Sequence, residues 1–242
     1  MENITSRKNP YIRRLRALET DGDFRRAERE FVCDGEKTLR EALRFARVTS
    51  ILWRGRAGDA DCPEQYTAPD ELFEYASPLK NSAGPVFTTA MPQADDRKIS
   101  RAIILEGVQD PGNVGTVIRT AAAFDIDAVV LTGNCADLYN PKTVRAAMGA
   151  LFRQYVLETD DIPAFLRDTG LKLYGAALSD EAADIRAVNI KNAAVAIGSE
   201  GRGLSQELLN ICGGKIIIPM DPNSESLNAA VAASLAMWEM AR

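Results

Sequence analysis

Three separated segments in the second half of the chain read as parts of one composite site. They are Asn113-Val-Gly-Thr-Val-Ile-Arg119, Gly198-Ser-Glu-Gly-Arg-Gly-Leu204 and Ile218-Pro-Met-Asp-Pro-Asn-Ser-Glu-Ser-Leu-Asn-Ala229. Each is glycine-rich or polar at a place where a buried strand should just have ended. Open α/β sheets bind ligands at the carboxyl ends of their strands, because the loops there expose backbone amides while the strands hold them still. The chain has no histidine. That excludes Ser-His-Asp and Cys-His catalysis, the HExxH metalloproteases and imidazole acid–base chemistry.

In the first segment Pro111 and Gly112 force a turn and Asn113 is a natural helix cap. A plain strand-to-helix connection accounts for these three, but not for Arg119, a charge set among Val117, Ile118, Ala121 and Ala122. On helical spacing Arg119 lies near Gly115 and Thr116, facing either the sheet end or solvent. In the second segment Gly198, Gly201 and Gly203 permit unusual dihedrals and close approach of a backbone or ligand. Their spacing matches neither the phosphate loop nor the dinucleotide fingerprint. In the third, Pro219 ends a strand, residues 221–224 turn, and Ser226-Leu-Asn228 opens the last helix with its amides unpaired. Capping by Ser224 or Ser226 explains those serines taken singly.

The elements that must position these segments are legible. Apolar runs at 102–106, 128–132, 172–178, 195–198 and 216–218 read as strands covered on both faces, as in a parallel sheet. Helices are expected at 113–124, 141–148, 161–167, 205–210 and 226–242, the last with Leu227, Val231, Leu235 and Trp238 on one stripe that should dock on the sheet or on a partner chain. Ahead of them, helices near residues 10, 37 and 70 and strands at 31–33 and 48–53 make a smaller α/β unit. Residues 90–101 are polar and aperiodic and read as the boundary. The fold class is α/β, with a doubly wound, mostly parallel sheet.

Together the segments resemble the signature of the SpoU/TrmH family of RNA ribose 2'-O-methyltransferases, and Asp137-Leu-Tyr-Asn-Pro-Lys-Thr-Val-Arg-Ala-Ala-Met-Gly-Ala150 extends the likeness. Ser6-Arg-Lys-Asn-Pro-Tyr-Ile12 and Phe31-Val-Cys-Asp-Gly-Glu-Lys37 resemble the family's small, ribosomal-protein-like RNA-substrate-binding domain. Two departures stand out: Asp125 replaces a common glycine, and residues 77–85 lack the expected threonine- and glutamine-containing pattern. The resemblance implies an RNA-substrate-binding domain at 1–90, a linker at 91–101 and, at 102–242, a trefoil-knotted SPOUT methyltransferase domain, an exception to the rule that chains avoid knots. It also implies a homodimer with the active site close to the interface and the last helix contributing to that interface, and S-adenosylmethionine held by Gly198, Ile218 and Leu227, with Met220, Leu131 and Thr132 as neighbours.

By the same resemblance Arg119 acts on the ribose hydroxyl. Since arginine is rarely deprotonated, it would stabilise developing alkoxide charge or grip the adjacent phosphate. Asn113 would orient Arg119 or the ribose, and Ser226 and Asn228 would line the pocket. Glu200 would either accept a proton or anchor its loop by pairing with an arginine.

The charge distribution bears on the substrate. Residues 1–56 hold 14 Lys and Arg against 9 Asp and Glu, a balance of +5, although the whole chain carries -5. Arg7, Lys8, Arg13 and Arg14 would suit RNA phosphate contacts, or they form a solvated helix face. Ribosomal RNA is favoured over tRNA because the extra front domain is present. Cys33, Cys62, Cys135 and Cys212 lie far apart, so no metal site is expected. With no apolar run long enough for a membrane span and a polar start unlike a secretory signal, the expected compartment is the cytoplasm. Two other readings compete: a Rossmann-type methyltransferase, whose glycine spacing is absent, and a catalytically silent RNA-binding protein with a vestigial pocket.

Overall fold

The structure is a computed structural model that describes residues 1–93, 96–179, 181–221, 223 and 226–242. The chain divides into two units, Met1–Gln93 with Asp137–Arg153, and Ala94–Ala136 with Gln154–Arg242.

The first unit is built on strands β1 (Glu2–Asn3), β2 (Glu30–Asp34), β3 (Val48–Arg54), β4 (Glu64–Ala68) and β5 (Val86–Ala90), in the order β1-β4-β3-β5-β2. The sheet is mixed, with β5 antiparallel to both β2 and β3. Helices α1 (Pro10–Thr20), α2 (Gly22–Glu28), α3 (Glu36–Phe45) and α4 (Asp70–Ala76) accompany it. Asn9 starts α1 by accepting the Tyr11 amide at 2.8 Å, and Ile12, Leu15 and Leu18 are fully buried, as their spacing requires. Residues 77–85, the stretch that departs from the family pattern, are tied to the sheet by Asp34. Its carboxylate accepts from the Ser77 hydroxyl at 2.9 Å and the Ser82 hydroxyl at 2.8 Å. Burial pushes the Asp34 carboxyl above its ordinary range, and the two serines and Arg145 pull against that shift.

The second unit contains seven parallel strands: β6 (Ala102–Glu106), β7 (Ala128–Thr132), β8 (Tyr155–Glu158), β9 (Lys172–Ala176), β10 (Ala183–Asp184), β11 (Ala193–Gly198) and β12 (Gly214–Ile217). Their order is β10-β12-β9-β11-β6-β7-β8. The chain winds one way from β6 to β8 and then returns to build on the other side, so β6 and β11 meet where the winding reverses. Helices α5 (Pro111–Ala123), α7 (Ile162–Thr169), α8 (Gln206–Ile211) and α9 (Ala229–Ala241) cover the sheet, while α6 (Pro141–Ala147) belongs to the first unit. Ile162, Phe165 and Leu208 share one core with Ile104 and Val130, whereas α5 packs on β7 and α9, and α9 on β11.

Several local details differ from the sequence expectations, each for a physical reason. Asp110, not Asn113, caps α5, accepting the Asn113 amide at 2.9 Å and leaving the Asn113 side chain available. Likewise α9 begins at Ala229 because Asn228 is the cap, accepting the amides of Ala230 at 2.9 Å and Val231 at 3.2 Å. Pro222, Ser224 and Glu225, part of the expected turn, lie outside the described residues. Asp125 has φ 55°, the left-handed region that favours glycine, and its carbonyl accepts from Arg101 at 2.6 Å.

The buried face of α9, which packs on α5 and on β11 of the sheet, is made of Ala229, Ala230, Ala233, Ala236, Met237 and Met240. Small side chains let the helix approach closely, and the bulky stripe therefore points outward. Val231, Leu235 and Trp238 are 47%, 41% and 56% exposed. Of the two expected docking modes for that stripe, the sheet is excluded.

Segment 137–153 is held within the first unit by an arginine. Arg25, only 4% exposed, donates to the Asp137 carboxylate and to the Leu18 carbonyl at 2.7 Å. Phe31 adds aromatic contacts to Tyr139 and Phe152, with ring centroids 4.8 Å and 6.3 Å away.

Candidate active site

At the carboxyl end of the second unit's sheet, the loops after β9, β11 and β12 enclose a cleft of about 490 Å³. Its lining includes Gly198, Ile218, Met220 and Leu227 of the expected cofactor residues, together with Glu200 and Ser226. The volume lies in the range of small-molecule sites, and Ile197, Ile216, Ile218 and Leu227 give it apolar walls beside the polar loop 199–203. Such a wall suits an adenine ring, and the strand-end backbone suits a ribose and an amino-acid tail, so the residues present fit S-adenosylmethionine.

Gly198 is required by packing. A Cβ there would lie 2.1 Å from the carbonyl carbon and 2.2 Å from the oxygen of Gly203, because the loop folds straight back over it. Gly203 sustains the reversal with φ 65°, donating its amide to the Ser199 carbonyl at 2.9 Å. At the tip of this loop Glu200 accepts a hydrogen bond from Asn113 Nδ2, and Asn113 Oδ1 accepts one from Asn228 Nδ2 at 3.0 Å. Three residues from three separated segments thus form one polar chain; of them Glu200 lines the cleft, whereas Asn113 and the expected pocket residue Asn228 are not among its lining residues.

The direction of that chain is fixed. Asn228 Oδ1 is committed to the two amides of α9, so only its Nδ2 can turn to Asn113. Asn113 must then present its oxygen to Asn228 and its Nδ2 to Glu200. Of the two alternatives for Glu200, the partner found is an asparagine; no arginine pairs with it among the described residues.

Other expected site residues lie elsewhere. Arg119 sits on the exposed side of α5, less than two turns or about 9 Å along the axis from Asn113, and is not among the cleft-lining residues. Its side chain makes no hydrogen bond or ion pair among the described residues. Leu131 and Thr132 are buried at the end of β7, separated from β11 by β6. Thr132 Oγ1 and the Gly133 amide both donate to Asp160 at 2.9 Å, and these donors hold the Asp160 carboxyl below its ordinary range. Ala176, Ala177 and Leu178 line the cleft without having been singled out. They carry no reactive group, and only their position at a strand end could have marked them.

In the first unit Arg7 pairs with Glu71 at 2.9 Å and lies over the Tyr75 ring, while Arg14 pairs with Glu28 and Glu30. Lys8 and Arg13 are exposed and unpaired among the described residues. Among the described residues no group of three or more Cys, Asp or Glu could hold a metal ion, and no helix is long and apolar enough to cross a membrane.

Residues 100–238 match the model of the SpoU rRNA Methylase family. The 23S rRNA (guanosine(2553)-2'-O)-methyltransferase RlmP of Bacillus subtilis is 30% identical over 99% of this chain and 99% of its own length. A crystal structure of an RNA 2'-O ribose methyltransferase superposes with TM-score 0.82 at 26% identity, covering 98% of this chain and 97% of that one. The AdoMet-bound rRNA methyltransferase of Sinorhizobium meliloti shares the fold, with TM-score 0.87 at 24% identity over 98% of this chain and 96% of its own. On the family match and the full-length likeness to RlmP, this chain is a member of the SpoU rRNA methylase family.

Proposed function

We propose that this protein transfers a methyl group from S-adenosylmethionine to a ribose 2'-hydroxyl of structured RNA, with ribosomal RNA favoured over tRNA. The observation that carries the reading is the Glu200–Asn113–Asn228 chain standing beside a cleft lined by Gly198, Ile218, Met220 and Leu227. Full-length similarity to a 23S rRNA enzyme supports the choice of RNA.

S-adenosylmethionine supplies a methyl group already activated on a sulfonium, so the chain's own task is alignment and removal of a proton. The Asn113 amide and the Ser226 hydroxyl orient the ribose. Glu200 has one carboxylate oxygen engaged by Asn113 and the other available to the ribose hydroxyl. Arg119 stabilises charge developing on the attacking oxygen or holds the neighbouring phosphate.

Arg119 is outside its own chain's cleft, and the apolar stripe of α9 faces outward beside α5. Both features support a homodimer in which a second copy covers this face and receives Arg119 at its own cleft. We read the strand order, with β11 inserted between β9 and β6, as that of the trefoil-knotted SPOUT fold. Residues 1–90 serve as the RNA-substrate-binding domain, ahead of a linker at 91–101 and the catalytic domain at 102–242, which lends its segment 137–153 to the first unit. Lys8 and Arg13 are the most available phosphate contacts, and Arg7 and Arg14 join them by exchanging their carboxylate partners for phosphate. The site of action is the cytoplasm, where the RNA is.

Calorimetry with S-adenosylmethionine tests the reading against a silent RNA-binding module. Saturable binding at one site per chain is expected, and absence of detectable binding at millimolar donor would leave only the silent module.

A further inference from the structure

Glu106 is the last residue of β6, in register with Gly198 on one side and Thr132 on the other. It follows the run Ala102-Ile-Ile-Leu105, all fully buried, so a carboxylate appears at the point where the sheet meets the ligand loops. Both its oxygens are spent on one residue. Oε2 accepts the Ser205 amide at 2.7 Å and Oε1 accepts the Ser205 hydroxyl at 2.7 Å. While its hydroxyl donates a hydrogen bond to Glu106, the Ser205 oxygen accepts the Leu208 amide at 3.1 Å and caps α8. A Cβ on Gly133 would lie 3.2 Å from Glu106 Cγ, so the stem of the side chain rests on the backbone of the neighbouring turn.

The consequence concerns the loop between Gly198 and Ser205. It supplies Ser199, Glu200, Arg202, Gly203 and Leu204 to the cleft. One end is fixed by β11; the other is fixed to β6 through Glu106. Hydrogen bonds to a carboxylate are stronger than neutral ones, and here two act on a single residue. Glu106 itself is not among the cleft-lining residues.

We propose that Glu106 is a positioning residue that holds loop 199–204 closed before any ligand arrives, and so sets the affinity for the methyl donor. The inference rests on the proposed function, which makes this cleft the donor site. A loop ordered in advance loses little freedom on binding, whereas a loop released from β6 must be ordered at the donor's expense.

Two readouts separate this role from a general loss of structure. In the donor-free protein, Glu106→Ala should speed amide hydrogen exchange across residues 199–208 and leave the first unit unchanged. Its calorimetric Kd for S-adenosylmethionine should rise about tenfold to a hundredfold, roughly the scale of one charge-assisted hydrogen bond, since only part of what the two bonds contribute reaches donor binding. In turnover the donor KM should rise by a similar factor while kcat at saturating donor falls much less. Glu106→Gln keeps the length of the side chain, accepts the Ser205 amide with its oxygen and should recover most of the affinity. Ser205→Ala removes one of the two bonds and should weaken donor binding several-fold, which keeps the test open if Glu106→Ala does not fold. Donor Kd within about twofold of the parent in Glu106→Ala, or in Ser205→Ala if the former does not fold, would overturn the proposal, as would unchanged exchange in the loop. A parent protein that binds no donor would instead count against the proposed function.

Discussion

Asn228 donates its side-chain amide to Asn113 across 3.0 Å, although 115 positions separate the two in sequence. The same Asn228 caps α9 with its carbonyl oxygen, so the start of one helix dictates the orientation of a side chain on another. Glu200, held among the described residues by Asn113, inherits that orientation.

Asn228→Asp separates capping from orientation. Aspartate caps a helix as well as asparagine does, so the melting temperature should stay close to the parent's. The carboxylate, however, has no proton to give Asn113, whose amide must turn its nitrogen toward position 228 and its oxygen toward Glu200. Methyl transfer should fall about tenfold or more, the scale of disrupting a group that positions reactants. A thermal scan beside a turnover assay checks both halves; equal loss of stability and activity would assign Asn228 to capping alone.

Arg119 is absent from its own chain's cleft, which gives the proposed dimer a direct consequence. Arg119→Ala and Asn228→Ala should each be nearly inactive alone. Mixed and allowed to exchange subunits, they should recover about a quarter of parental activity, because half the dimers then contain one complete site out of two. No recovery on mixing, with exchange verified by mass, would place Arg119 in the cleft of its own chain.

Asp160 provides a pH-dependent prediction. Its folded-state pKa is lowered by the Gly133 amide and the Thr132 hydroxyl, so its stabilising contribution is present above the unfolded carboxylate pKa of about 4 and fades as pH falls through the folded value. Asp160→Asn should therefore lower the melting temperature at pH 7, and the gap to the parent should close as the pH drops below roughly 4. Melting curves from pH 3 to 7, roughly spanning the carboxylate range, check the sign. A gap independent of pH would mean that the hydrogen bonds matter and the charge does not.

Much of the site was legible because its residues are chemically out of place. Glu200 follows an apolar strand within two residues, Asn113 and Asn228 are polar groups at the helix starts that come after the turns beyond two others, and the glycines of 198–203 exceed what a simple turn needs. What periodicity could not rank was the two faces of α9. Alanines and methionines bury against α5 and the sheet while Val231, Leu235 and Trp238 face out, since a close approach selects small side chains over the most hydrophobic ones. Strand β5 was hidden because Val86-Phe-Thr-Thr-Ala90 mixes threonine with apolar residues, and β8 because it is only four residues long. The attachment of segment 137–153 to the first unit depends on Arg25 and Asp137, 112 positions apart, and local pattern carries no trace of such a pair. Asp125 illustrates the converse: its departure from glycine was visible, and the left-handed backbone explains why glycine suits that position.

The most direct test of the central claim is transfer of a labelled methyl group from S-adenosylmethionine to protein-free RNA, followed by mapping of the modified nucleotide. Label should enter RNA as a 2'-O-methyl ribose at one position of ribosomal RNA with the parent protein, and should be lost with Asn113→Ala. Label on a base, or none in RNA while the donor is bound, would contradict the account.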